Sequence, residues 1–113
     1  MRALDRFTEY RRRALDLEWR KPLLRGCGEA MRPAHRYVIG IDEAALERGW
    51  AEVGLVSRGY SDEAAALLAE HYLFCEEWHD IAAANRMGYD EVKKKCYRAL
   101  LWLDGRSGDG AGA

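Results

Sequence analysis

His71, Cys75 and His79 are spaced by four, so on one continuous helix they would share a face and offer a metal ion three ligands. A helix break expected at Glu76 and Glu77 takes His79 off that face, and no fourth ligand stands nearby. Cys75 is therefore read as a small buried apolar residue and no metal site is expected. Cys27 and His35 supply the types of a thiol nucleophile and its base, but nothing in the sequence brackets them as an activated pair. No glycine loop of the phosphate-cradling kind is present, and the scattered carboxylates have no motif around them. The reading is a protein without catalytic residues or cofactor. What does recur is a cluster suited to polyanions: Lys93, Lys94, Lys95 and Arg98, interleaved with Tyr89 and Tyr97, and preceded by His79 and Arg86.

The stretch 78–103 must position that cluster, and it reads as two short helices joined by a tight turn. In the second, Val92, Cys96, Ala99, Leu100 and Leu103 form one apolar stripe at about 100° per residue. Asp90, Lys94 and Tyr97 fall near the opposite side, flanked by Lys93 on one edge and by Lys95 and Arg98 on the other. Trp78, Ile81 and Ala82 are the inward residues of the first helix, whose small alanines let the second cross closely. Met87 and Gly88 are expected to form the turn, with Gly88 free to take a positive φ. A second helix laid out this way presents Lys93, Lys94 and Tyr97 to a groove, with Tyr89 behind them. Lys95 and Arg98 are aimed at flanking phosphates, and Arg86 and His79 are weaker phosphate candidates. Asp90 and Glu91 suit the helix start through its dipole rather than a phosphate.

The stretch resembles the helix-turn-helix of sigma-factor region 4, and more closely that of small phage-type regulators of the ArpU kind. The matching residues are Trp78, Ile81 and Ala82 in the first helix, then Val92, Lys93, Arg98, Ala99, Leu100 and Leu103 in the second. The steps of eleven from Ile81 to Val92 and seven from Val92 to Ala99 fit the family pattern. Met87 to Tyr89 resembles the turn of the phage proteins, although it sits two residues late, and Arg86 stands where the family usually puts the turn glycine. The resemblance covers roughly the last fifty residues. It implies duplex DNA as the partner, a role in transcription, and contact with RNA polymerase; no segment matches the promoter-melting portion of a sigma factor.

At 113 residues the chain is read as one domain, 1–104, with a tail over 105–113 too poor in apolar residues to pack and expected to be disordered. Net charge is -1 and hydrophobic content 49%, a globular balance that argues against coating nucleic acid by charge alone. Residues 1–60 carry 12 basic and 9 acidic side chains, and the remainder 6 and 10. The presumed reading half is thus acidic overall and positive only at its lysine cluster. Three scattered cysteines, with no signal peptide or bilayer-length apolar run, predict free thiols, a cytoplasmic location and no membrane partner.

From the N-terminus, Leu4, Phe7, Tyr10, Ala14 and Leu17 predict a helix over 3–21, ended by Pro22, with Trp19 packed on the inner side or against a neighbouring element. Arg11, Arg12 and Arg13 either add phosphate contacts or pair with carboxylates such as Glu9 and Asp16 at helical spacing; the second reading is preferred. Residues 22–40 read as a long connection, with 36–41 a short extended piece. A helix over 42–57 follows, N-capped by Asp42, with Leu46, Trp50, Val53 and Ser57 on one face. Ser61 caps another helix, to about Phe74, that buries Ala64, Leu67, Leu68, His71, Tyr72 and Cys75. Trp50, Tyr72 and Trp78 are assigned to the core.

The sequence therefore predicts an all-α domain of four or five helices with a C-terminal helix-turn-helix like sigma region 4, acting as a DNA-binding regulator of transcription. A competing reading makes the same unit a protein-interaction module that docks on polymerase or forms a homodimer. Leu101 and Trp102 support it, because they lie off the stripe of the last helix and must be covered by the N-terminal helix, a second subunit or a partner.

Overall fold

A computed structural model describes residues 1–112, with side chains through Arg106. Among these residues there are five α-helices and one π-helical segment, and no strand: α1 (Arg2–Gly26), α2 (Arg32–Gly59), α3 (Asp62–Leu68) running into a π-helical turn (Ala69–Leu73), α4 (Trp78–Ala84) and α5 (Tyr89–Gly112). The all-α expectation holds. The disordered tail expected over 105–113 falls, beyond Arg106, on residues whose side chains lie outside the described set.

One apolar core joins all five helices. Phe7 and Tyr10 of α1 meet Val53 and Val56 of α2, Leu67 and Leu68 of α3, Ile81 of α4, and Val92, Cys96, Ala99, Leu100 and Leu103 of α5. The α5 stripe expected from periodicity is buried throughout. Phe7 packs edge-on against both Tyr10 and Tyr72, at 5.2 and 5.5 Å between ring centroids. Burial and edge-to-face contact together make this an apolar node that joins α1 to the π-helical turn.

The N-terminal half differs from expectation in three ways. First, Pro22 does not end α1, which continues to Gly26 with the proline inside it. The hydrogen bond that proline cannot donate would have gone to the Glu18 carbonyl; both residues are exposed, so water can meet that carbonyl. Second, α2 begins at Arg32 rather than at Asp42, so the stretch 36–41 is helical and the true connection shrinks to 27–31. Pro33 sits in the first turn of α2, where its fixed φ suits a helix start. Third, Asp42 is not a cap. It lies mid-helix and is 1% exposed. Its Oδ1 accepts from Arg13 Nη1 at 3.1 Å, and Arg20 Nε stands 3.7 Å from its Oδ2.

That cluster is part of a ladder of charges joining α1 to its neighbours. Arg6 donates to both oxygens of Glu52, which also accepts from the Tyr10 hydroxyl. Desolvation, followed by the Glu52 contact, pushes the Tyr10 phenol up to about 12. Arg12 pairs with Glu9 and Asp16, and Arg13 with Glu9 as well as Asp42, while Arg11 reaches Glu77. Hydrogen bonds from Arg12, and then Arg13, hold the exposed Glu9 carboxyl at about 2. The triple arginine thus serves internal pairing.

Several aromatic assignments are also corrected. Trp19 is exposed rather than packed on the inner side, and Trp50 is exposed at the edge of α2, where it meets Phe74 edge-on at 5.4 Å. Trp102 is covered by the end of α2, not by α1. Its ring lies 5.7 Å from that of Tyr60, and Gly59 approaches so closely that a Cβ there would stand 2.7 Å from the indole. The contact of α1 with this region comes instead through Ala3 N, which donates to Asp104 Oδ1 at 2.8 Å.

Candidate functional site

The site is built on a three-helix unit. Ser61 caps α3 as expected, its hydroxyl accepting from Ala64 N at 3.2 Å. The chain then widens into the π-helical turn, which buries His71 and Tyr72. It breaks at Cys75, whose φ of 60° reverses direction. Trp78 opens α4, half-buried, and Ile81 and Ala82 face inward. Asn85 ends α4, and its side-chain amide donates to the Ile81 carbonyl at 2.8 Å.

The turn 85–88 corrects the sequence reading. Positive φ falls on Arg86, at 53°, and not on Gly88. Arg86 is the residue that stands where the resemblance puts a glycine, so the left-handed position exists but is occupied by a side chain that tolerates it poorly. α5 then starts at Tyr89 and presents Asp90, Lys94, Tyr97 and Leu101 along one exposed line, with Lys93 and Arg98 beside it.

The structure brings several of the predicted residues together. The Tyr89 ring stacks on His79 of α4 at 4.5 Å, and Lys93 Nζ lies 5.2 Å over the same ring. One aromatic surface thus orders the His79 imidazole and the Lys93 ammonium, from neighbouring helices, by stacking and cation–π attraction. Lys93, Lys94 and Tyr97 border a groove of about 400 Å³ whose floor includes Tyr72 and Trp78. Its far wall is Leu4 of α1, a contribution that sequence reasoning missed because nothing at Leu4 signals proximity to a residue ninety positions away.

Lys95 and Arg98 lie apart from that cluster. They border a smaller recess of about 210 Å³ with Tyr60, Ser61 and Glu63. Lys95 is ion-paired with Glu63, whose hydrogen bond raises the ammonium pKa above its ordinary value. Glu63 was not foreseen as a partner. Arg86 remains exposed in the turn.

Two of the three thiols are held in a form ill suited to nucleophilic attack. Burial pushes the Cys96 thiol up to about 12 and also raises that of Cys75, which makes both poor nucleophiles. His71 is buried, stacked on Trp78 at 3.6 Å, and donates from Nδ1 to the Glu76 carbonyl at 2.8 Å. With His79 against Tyr89, the trio His71, Cys75 and His79 does not converge on one point. Among the described residues no helix is long and apolar enough to cross a membrane. Compared with protein-family models, curated proteins and solved structures, the chain matches none of them.

Proposed function

We propose that the chain is a DNA-binding transcriptional regulator whose α4–turn–α5 unit works as a helix-turn-helix of the sigma region 4 and phage-regulator kind, in the cytoplasm and without catalysis. The observation that carries this is the exposed face of α5: Lys93, Lys94 and Tyr97 are open to solvent on a helix whose other face is buried against α1, α3 and α4. A major groove about 12 Å wide admits such a helix, and its N-terminal half meets the base edges. Lys93, Lys94 and Tyr97 then read bases, with Tyr89 holding Lys93 in place. Arg98, Arg86 and His79 meet phosphates, and Lys95 does so only by leaving Glu63.

The second reading is a protein-interaction module docking on RNA polymerase. Leu101, 46% exposed on the same line as Lys94 and Tyr97, favours it, as an apolar residue there suits a protein better than a phosphate. Fluorescence anisotropy on random-sequence duplex DNA at two salt concentrations separates the two. DNA reading requires binding at low salt that weakens steeply as salt rises. Absence of binding at low salt leaves the interaction module.

A further inference from the structure

We propose that the groove between α5 and the start of α1 binds a small aromatic carboxylate, with its rings on the apolar floor and its acid group at Lys93 and Lys94. At about 400 Å³ the groove has the size of a small-molecule site, and like such sites it is mostly apolar with a few placed polar groups. Tyr72 and Trp78 form the floor, Cys96 and Leu100 of α5 one wall, and Leu4 the other. Lys93, Tyr97 and Leu100 follow at steps of four and three, so they line one side of α5 over about 10 Å. That length takes a fused pair of rings with an acid group at the lysine end.

The polar groups select the charge of the occupant. Two ammonium groups, Lys93 and Lys94, stand at the rim against one carboxylate, Asp90, and among the described residues none of the three is ion-paired. That surplus of one positive charge suits a monoanion better than a phosphate monoester, which carries roughly -1.5 to -2. Tyr72 gives an independent sign of a ligand. It is 7% exposed and lies on the floor, yet among the described residues nothing hydrogen-bonds to its hydroxyl. Buried hydroxyls ordinarily have a partner, and a carboxylate oxygen in the groove would supply the acceptor. Burial pushes the Tyr72 phenol up to about 12, so it remains a donor at neutral pH. Lys93 is already held over the Tyr89 ring, which reduces the freedom it loses on meeting an anion. Lys93 and Lys94 are also the residues assigned to the DNA groove, so an occupied site withholds them from a duplex; this consequence rests on the regulator reading, whereas the site does not.

Titration of the full chain with naphthoate, followed by NMR at the indole N–H signals of its four tryptophans, tests the site without DNA, so its failure is distinguishable from failure of the regulator reading. The Trp78 signal should shift and saturate, while those of Trp19, Trp50 and Trp102, which lie outside the groove, should stay. Naphthalenemethanol has the same rings and no charge, and should bind about fivefold more weakly. Lys93→Met and Lys94→Met should each weaken naphthoate by about threefold and leave the alcohol unaffected, which also reports an intact fold. Leu4→Asp, on the exposed wall, should weaken both probes. The proposal is overturned by a Trp78 signal that does not saturate, by equal shifts at all four indoles, by equal affinity for the two probes, or by undiminished naphthoate binding in both lysine variants.

Discussion

The imidazole of His71 lies flat on the indole of Trp78, ring centroids 3.6 Å apart and planes inclined by 17°. Burial, the largest influence, lowers the His71 pKa below its ordinary value of 6.5, outweighing the Glu76 carbonyl that favours the charged form; Arg11 and Lys93 lower it further and Glu77 opposes them. The unfolded chain therefore binds this proton more readily than the folded one. The His71 contribution to stability is intact above pH 6.5 and is lost as pH falls through 6.5 toward the folded pKa. Melting temperature should drop over that interval, and His71→Phe should remove that part of the drop. An equal slope in the variant, or a folded His71 pKa above 6.5 by NMR titration, would contradict it.

Two glycines of α2 should respond oppositely to alanine. A Cβ at Gly49 would stand 2.9 Å from Leu73 Cδ2 and 3.1 Å from the Tyr10 ring, which is itself tied to Glu52. Overpacking of about 1–3 kcal/mol should exceed the helix gain of about 1 kcal/mol, leaving Gly49→Ala destabilised. At Gly54 the nearest neighbour is the mobile guanidinium of Arg58, at 3.2 Å, so Gly54→Ala should stabilise by about 0.5–1 kcal/mol. Urea midpoints of the two variants should therefore move in opposite directions.

The turn gives a similar contrast. Arg86→Gly relieves a left-handed conformation that costs a side-chain-bearing residue about 1–2 kcal/mol, and should raise the melting temperature. Gly88→Ala should change it little, because φ there is not positive and a Cβ meets nothing within 4 Å. A large loss on Gly88→Ala, with none gained at Arg86→Gly, would place the pivot of the turn at Gly88 instead.

On the DNA reading, Lys94→Ala should alter which duplexes are preferred, since base-edge contacts carry sequence information. Arg98→Ala should weaken all duplexes alike and flatten the slope of log affinity against log salt by roughly 0.9. Glu63→Gln frees Lys95 from its ion pair and should tighten binding to every duplex without changing their order. Binding selections with each variant check the three outcomes. Unchanged preference in Lys94→Ala would remove that residue from the groove.

The C-terminal helices were legible because their burial is local: Val92 to Leu103 repeat at helical spacing, and Ser61 precedes Asp62 and Glu63 as a cap should. The N-terminal half was not, because its signals were inverted by tertiary contacts. Asp42 looked like a helix start, yet two arginines on another helix let a carboxylate occupy a buried position. Pro22 looked like a stop, yet its exposed position lets water satisfy the orphaned carbonyl. In the candidate site, the order of Lys93 and Lys94 along α5 could be read from spacing. The Glu63 partner of Lys95, the stack of His79 on Tyr89 and the wall supplied by Leu4 depend on how separate helices meet, which spacing within one helix does not encode.

A π-helical turn is an α-helix holding one surplus residue, and the one at Ala69–Leu73 lies between the cap of α3 and the break at Cys75. The widened turn absorbs that residue locally, so deleting a single residue there should restore ordinary helical winding and leave the direction of everything downstream as it is. This turn is the place in the chain where one residue can be lost without rephasing the helices that follow.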